Sequence, residues 1–126
     1  RIIAVWPWIQ PLLQNGIDRV ATEQTTVKIL GGFSLGKYRL WTVSCQDKLM
    51  AAAATYERET NKGLVVVIDT IGGNEMEQWL QPALEQFEAL AKANGCTRIG
   101  LEGRHGWVPM LPGFKVVRVV LEKVLG

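Results

Sequence analysis

The sequence predicts an α/β domain in which a mixed, mostly antiparallel sheet is flanked by helices. Residues 64–71 form a continuous β-branched run between Gly63 and Gly72, a pattern typical of a buried strand. Residues 75–94 carry apolar side chains at three- and four-residue spacing, which predicts a helix, and residues 97–101 return to a strand pattern. A strand, a helix and a strand over this length predict a βαβ unit. The two strands should therefore be adjacent and parallel, with the helix packed across them.

The segment before this unit predicts a hairpin that continues the sheet. Residues 39–45 and 49–56 are rich in strand formers, and the polar residues 46–48 between them have hairpin length. The alanine run at 51–54 favours a helix by propensity, which competes with the strand assignment. Together with the buried strand at 64–71, the hairpin predicts a three-stranded antiparallel meander.

The N-terminal segment predicts a strand followed by a helix. Residues 1–5 are a short strand candidate. Pro7 or Pro11 should mark the start of a helix that runs to about Val20, because proline is favoured in a first helical turn and unwelcome later.

Three further expectations complete the secondary structure. Residues 22–30 predict a second helix with Thr22 as its N-cap and two glycines at its end. Residues 114–125 supply a last strand. Pro82 lies inside the long predicted helix, so it should kink that helix or mark its true start.

Length and composition indicate one ordinary globular domain. A chain of 126 residues is long enough for one core but not for two, and 48% hydrophobic residues argue against disorder. The basic residues are scattered and the net charge is only +2, so a nucleic-acid partner has little support. No apolar run approaches the roughly 20 residues that span a membrane, which predicts no membrane partner.

The cysteines and the first residue bear on the compartment. Cys45 and Cys96 lack metal-ligand spacing and fit two buried thiols in a reducing cytoplasm. Because the sequence opens on Arg1 rather than on methionine, missing N-terminal residues and a removed targeting segment both stay open.

Residues 92–125 carry the most specific local pattern of the chain. They contain Gly-Arg-His-Gly-Trp at 103–107 and Gly-Phe-Lys at 113–115. With the order of elements, this segment resembles the GNAT superfamily of N-acetyltransferases, and especially the small GNAT-like proteins encoded by bacteriophages and prophages. The resemblance covers nearly the whole chain. It implies a GNAT-like fold with a central splayed parallel pair of strands, and it implies acetyl-CoA as the cofactor, with no metal.

The resemblance also implies a cofactor-binding turn at residues 70–77. In GNAT enzymes this turn carries Arg/Gln-x-x-Gly-x-Gly/Ala, and its backbone amides hold a pyrophosphate at a helix N-terminus. The sequence here is Thr-Ile-Gly-Gly-Asn-Glu-Met-Glu, with Asn74 as a good N-cap. No arginine or lysine falls in the turn, and the carboxylates of Glu75 and Glu77 would repel a diphosphate. The main chain near residues 68–70 would hold the acetyl carbonyl. The implied cofactor-binding residues are Ile68, Thr70, Gly72, Gly73, Asn74 and Glu75.

Two carboxylates are candidates for the catalytic base that deprotonates an amine. Glu102 ends the strand at 97–101, where it would either meet the substrate or pair with Arg104. Asp69 follows an apolar run, where it would either serve as base or cap the glycine turn. Tyr56 could line the acceptor groove.

No residue can be carried over as the general acid, because Trp107 stands where GNAT enzymes commonly have a tyrosine. Arg104 and Trp107 are interpreted mainly as a structural lock of their segment. His105 is the only histidine and supports neither a catalytic triad nor a metal site.

The sequence therefore leaves two functions open. The first is an N-acetyltransferase that moves an acetyl group from acetyl-CoA to an unknown amine in the bacterial cytoplasm. The second is a catalytically silent GNAT-fold phage protein that acts as a virion or binding component, with other phage proteins as partners. A homo-oligomer is compatible with both.

Overall fold

The computed structural model describes residues 2–18, 24–101, 114 and 123–125. Within these residues, three α-helices and four β-strands follow one another along the chain. They are α1 (Ile2–Asp18), α2 (Thr26–Ser34), β1 (Arg39–Cys45), β2 (Lys48–Thr60), β3 (Gly63–Gly73), α3 (Met76–Ala93) and β4 (Cys96–Leu101).

The four strands form one mixed sheet in the order β1-β2-β3-β4. The pairs β1–β2 and β2–β3 are antiparallel, which confirms the predicted meander. Strand β4 runs parallel to β3 and pairs with it from Leu64 to Ile68. The predicted βαβ unit, with its two strands adjacent, is therefore confirmed.

Helix α3 covers one face of the sheet through the apolar stripe that its periodicity predicts. The buried residues of the stripe recur every three or four positions and are Met76, Trp79, Leu80, Leu84, Phe87 and Ala91. They pack against Met50 and Ala51 of β2 and against Val66 and Ile68 of β3. The helix is continuous through Pro82, whose side chain is exposed, so Pro82 does not mark the helix start.

Helices α1 and α2 cover the opposite face. Ile9, Leu13 and Ile17 of α1 pack with Ile29 of α2 against the alanines of β2. Residues 51–54 are all buried within the strand, although alanine is the best helix former. Small side chains at these positions let helices approach the sheet on both faces, and this packing outweighs the local propensity.

The predicted strand at residues 1–5 is wrong, because α1 begins at Ile2. Pro7 and Pro11 both lie inside the helix, where each removes one amide donor from the backbone ladder. The buried face of α1 offsets that loss. Packing of this kind cannot be read from the proline rule, which considers only the local chain.

Helix α2 starts and ends later than its predicted range. Thr25 is the N-cap, and its hydroxyl accepts from the Lys28 amide at 3.2 Å. The predicted N-cap Thr22 lies outside the described residues. The two glycines lie within the helix instead of ending it. A Cβ at Gly32 would collide with the ring of Tyr38, so this glycine makes room for an aromatic side chain. Of the last predicted strand, at 114–125, residues 115–122 lie outside the described residues, and residues 114 and 123–125 are not in a strand.

Candidate functional site

Strand β3 carries a β-bulge at Asp69. Thr55 of β2 faces Ile68, and the next residue, Ala54, faces Thr70, so Asp69 is an extra residue in the ladder. A bulge re-aims the side chain that it carries and is common beside functional sites. The Asp69 carboxylate accepts two hydrogen bonds on Oδ2, from Gln24 Nε2 at 2.8 Å and from Thr70 Oγ1 at 2.9 Å.

These bonds place Asp69 on the α1/α2 side of the sheet. Gln24 precedes α2 and also donates to the Tyr38 hydroxyl at 3.3 Å. The Tyr38 ring contacts the Tyr56 ring, with centroids 6.0 Å apart. The structure thus brings two sequence-predicted site residues, Asp69 and Tyr56, into one cluster through Gln24 and Tyr38. The hydrogen bonds of Asp69 go to Gln24 and Thr70 and not to the glycine turn, whose capping was one of the two roles that the sequence left open for it.

Beyond the bulge, the edge of β3 on its β4 side is unpaired among the described residues, and we call it the open edge. Its pairing with β4 ends at Ile68, so no described residue pairs with residues 69–73 along that edge. The Asn74 amide donates to the Met50 carbonyl at 3.0 Å. Because amides alternate between the two edges of an antiparallel strand, those of Gly73 and Ile71 then point away from β2. The open edge thus presents two outward backbone donors.

The turn from β3 into α3 consists of two residues, Asn74 and Glu75. The Asn74 carbonyl accepts from the Trp79 indole at 2.6 Å, which fixes the turn against the buried part of α3. Glu75, not Asn74, is the N-cap residue. Its φ of 55° is left-handed, and its side chain makes no capping hydrogen bond. The predicted Asn74 cap is therefore wrong, because the Asn74 backbone still belongs to the sheet ladder.

The first turn of α3 leaves backbone amides without intrahelical partners, as every helix does. The Gln78 amide already bonds the Glu75 carbonyl at 3.0 Å. The amides of Glu75, Met76 and Glu77 form no hydrogen bond with another described residue, so they can donate to an anion. The exposed carboxylates of Glu75 and Glu77 lie at the same helix end and oppose such binding.

Close packing within the chain accounts for the two glycines of the turn. A Cβ added at Gly72 would overlap the Leu12 carbonyl of α1 and lie 2.5 Å from the Gly16 amide nitrogen. A Cβ added at Gly73 would overlap the Met50 carbonyl and lie 2.6 Å from the Ala51 Cβ. Both glycines therefore permit the backbone of α1 or β2 to approach β3. A role in binding a cofactor, predicted from the sequence, stays a prediction.

Sequence reasoning missed Lys48, which begins β2 at the end of the sheet where β3 meets α3. It lies two residues before Met50, whose carbonyl binds the turn. Lys48 is exposed, and two strand residues span roughly 7 Å, so its backbone lies at the same end of the sheet as the turn. The register of the β2–β3 pairing brings the start of β2 to this turn, and that register cannot be read from the sequence.

Of the remaining predicted site residues, two are described by the structure and three are not. Ile68 is buried in the α3 face of the core, and Thr70 is buried with its hydroxyl on Asp69. Glu102, Arg104 and Trp107 lie outside the described residues, so their predicted roles are not tested.

Among residues 2–18, 24–101, 114 and 123–125, no three histidine, cysteine or acidic side chains group as metal ligands, and no helix is long and apolar enough to cross a membrane.

Comparison with known proteins places the fold. No protein-family model and no curated protein matches the sequence. Among solved structures, a GNAT family acetyltransferase of Staphylococcus aureus superimposes with a TM-score of 0.61 at 12% identity, over 88% of this chain and 85% of that one. A probable acetyltransferase gives 0.67 at 11% identity, over 99% of this chain and 91% of that one.

A third structure is aminoglycoside N-acetyltransferase AAC(6')-Iy in complex with CoA. It gives a TM-score of 0.64 at 9% identity, over 98% of this chain and 88% of that one. All three similarities extend over most of both chains, so they concern the whole domain and not a shared fragment. The chain therefore has the mixed α/β fold of the GNAT acetyltransferases.

Proposed function

We propose that this chain is an N-acyltransferase that takes an acetyl group from acetyl-CoA and transfers it to an amine. The observation that carries the proposal is the open edge of β3, which begins at the bulge of Asp69 and runs directly into the N-terminus of α3. The fold supports the same proposal, since solved structures that share it are acetyltransferases and one of them is a complex with CoA.

Backbone donors of this edge fit acetyl-CoA. The outward amides of Ile71 and Gly73 can pair with an amide-containing chain as a neighbouring strand would. The amides of Glu75, Met76 and Glu77 can accept a diphosphate at the helix N-terminus. Ile68 and Thr70 flank the bulge, where the main chain would hold the acetyl carbonyl. Bound acetyl-CoA would supply the acyl group as a thioester.

Asp69 is the proposed base. Gln24 and Thr70 both bond Oδ2, which fixes the carboxylate and leaves Oδ1 for the acceptor. A carboxylate in this position would hold an ammonium group and take a proton from it. The rings of Tyr38 and Tyr56 would add a cation–π attraction for the same cation. Glu102 stays the second candidate for this role, from the sequence alone.

The acidic first turn of α3 gives a direct test. Replacing Glu75 or Glu77 by glutamine removes one like charge near a diphosphate, a repulsion on the order of 1 kcal/mol or less at a solvent-exposed helix end. We expect each variant to bind acetyl-CoA about two- to fivefold more tightly than the wild type, measured by calorimetric titration. Glu85→Gln is the matched control, since it removes the same charge from an exposed position two to three turns further along α3 and should leave binding unchanged. Equal effects of all three changes would contradict the proposed position of the diphosphate.

A catalytic test follows from the cluster around Asp69. Asp69→Asn keeps the shape of the side chain but removes the base, so acetyl-CoA binding should persist while acetyl transfer to a test amine is lost. Unchanged transfer would remove Asp69 from the mechanism and leave Glu102 as the candidate.

The second candidate is a catalytically silent GNAT-fold protein that serves as a binding or virion component in a phage. Two observations favour it. Residues 70–77 contain no basic side chain, and packing within the chain is sufficient to explain Gly72 and Gly73. Under this candidate, the wild type and all three glutamine variants give a flat titration with acetyl-CoA.

A further inference from the structure

A separate groove lies on the α3 face of the sheet, at the other end of α3. Its volume is about 250 Å³, and residues of the C-terminal half of α3 and of all four strands line it. Val66 and Phe87 line it, so it is displaced along β3 and α3 from the turn at residues 74–75. Typical pockets for drug-sized ligands measure roughly 300–1,000 Å³, so this groove suits a smaller molecule.

The floor of the groove is apolar and held in place. Trp41 of β1 meets Phe87 of α3 edge to face, with ring centroids 4.8 Å apart and planes at 85°. The Trp41 indole donates to the hydroxyl of Thr55 at 2.7 Å, which satisfies its one polar group. Val66 and Phe87 are buried around it. A ring or a branched alkyl group can therefore bind here without rearranging the floor.

The rim of the groove carries an excess of positive charge. The charged residues that line it are Lys37, which precedes β1, Arg39, which begins β1, and Glu57 of β2. Arg39 faces Thr55 across the sheet, so Arg39 and Glu57 are diagonal neighbours on one face, typically 7–8 Å apart. Neither Lys37 nor Arg39 forms an ion pair with another described residue. Within the described part of the chain, no carboxylate is paired with the guanidinium of Arg39, which can therefore take an added anion.

The thiol of Cys96, also in the rim, does not cancel this charge. It lies 4.0 Å from Glu57 Oε2, in a contact that a protonated thiol can make as donor. Burial, and then the Glu57 carboxylate, raise the pKa of Cys96, while Arg39 opposes them. The thiol therefore stays neutral near pH 7, and two cations face one carboxylate.

We propose that this groove is a binding site for a small carboxylic acid, in which Arg39 holds the carboxylate and a single ring or short branched chain rests on Trp41, Val66 and Phe87. Arginine fits this role because its planar guanidinium pairs with a carboxylate through two parallel hydrogen bonds. A cationic ligand would meet Lys37 and Arg39 at the rim, and a neutral one would leave Arg39 unused. None of the residues assigned to acetyl-CoA lines this groove, although Tyr56 of the Asp69 cluster does, and the test does not depend on transferase activity.

The test uses 3-phenylpropionate as the probe, titrated calorimetrically into the intact chain. We expect a dissociation constant roughly between 0.1 and 1 mM, as suits a one-ring ligand. The uncharged 3-phenylpropan-1-ol and the cationic 2-phenylethylamine should bind at least tenfold more weakly. The indole N–H resonance of Trp41, followed by NMR, should shift on addition of the acid.

Two variants with the same charge change then locate the site. Arg39→Gln should weaken binding of 3-phenylpropionate at least tenfold. Arg58→Gln should leave binding unchanged. Arg58 is an exposed arginine of β2 that pairs with Val65 of β3, and its side chain lies on the face of the sheet opposite to the groove. Melting temperatures verify that both variants are folded. The proposal is overturned if the acid does not bind, if the alcohol or the amine binds equally well, or if both variants weaken binding alike.

Discussion

The tight contact between α1 and the end of β3 makes Gly72→Ala a sensitive test of the packing. The added methyl group would overlap the Leu12 carbonyl and lie 2.5 Å from the amide nitrogen of Gly16, whereas Cβ contacts below 3.0 Å essentially never occur. Both neighbours are helix backbone, so no side chain can move aside. The helix must therefore shift away from the sheet by roughly 1 Å, which loosens the buried contacts of Ile9 and Leu13.

The expected loss exceeds that of an ordinary overpacked side chain. Overpacking in a core costs about 1–3 kcal/mol, and rigid neighbours put this case at the upper end or beyond. We expect Gly72→Ala to lower the free energy of unfolding by at least about 3 kcal/mol, measured by urea denaturation followed by circular dichroism. Gly16→Ala meets the same interface from the other side, close to the Ile71 carbonyl. The two changes force one shared displacement, so the double variant should lose less than the sum of the single losses.

Gly31→Ala is the matched control. Gly31 lies inside α2, and an added Cβ there meets no atom within 4 Å. This substitution should raise the free energy of unfolding by about 0.5–1 kcal/mol, because alanine is the better helix former. If Gly72→Ala leaves stability within about 0.5 kcal/mol of the wild type, the close approach of α1 to β3 is wrong.

Three further predictions follow from single contacts. Thr55→Val removes the acceptor of the Trp41 indole and should cost about 1–2 kcal/mol in urea denaturation; no change would show that the indole finds another partner. Glu75→Gly and Glu75→Gln remove the same charge, but only glycine adopts the left-handed φ of this position without strain. The free energy of unfolding of the glycine variant should therefore exceed that of the glutamine variant by about 1 kcal/mol. Equal melting curves would argue against the left-handed φ. Glu57→Gln removes one cause of the raised pKa of Cys96, so more of this thiol is deprotonated at pH 8 and iodoacetamide should alkylate it faster. The alkylation rate of Cys45 should not change. An unchanged rate at Cys96 would contradict the contact between its thiol and the Glu57 carboxylate.

Sequence patterns predicted the elements whose signals are local. Strand β1 was predicted with its observed bounds, because strand formers fill residues 39–45 between turn signals. The apolar periodicity of α3 and the buried run of β3 predicted the βαβ unit and its parallel pair, which the sheet order confirms. Each of these patterns reflects the face that one element buries, and a face of this kind can be read from consecutive residues.

The errors arose where distant parts of the chain decide the structure. Prolines inside α1 argued locally for a later helix start, but the helix begins at Ile2, and its buried contacts with the alanine-rich β2 come from Ile9, Leu13 and Ile17. Sequence reasoning found Asp69 because a carboxylate after an apolar run is unusual. Its partner Gln24 is 45 positions away and carries no signal. The glycine pair at 72–73 was also visible, but only the structure reveals that α1 and β2 approach it.

The most direct test of the proposed function is the response of backbone amide resonances to acetyl-CoA in an NMR titration. The proposed function has acetyl-CoA bound along the open edge of β3 and at the first turn of α3. It predicts that the amides of Ile71, Gly73, Glu75, Met76 and Glu77 shift together with one saturation curve, while those of β1 do not. Shifts confined to other parts of the chain, or no shift at saturating acetyl-CoA, would contradict it.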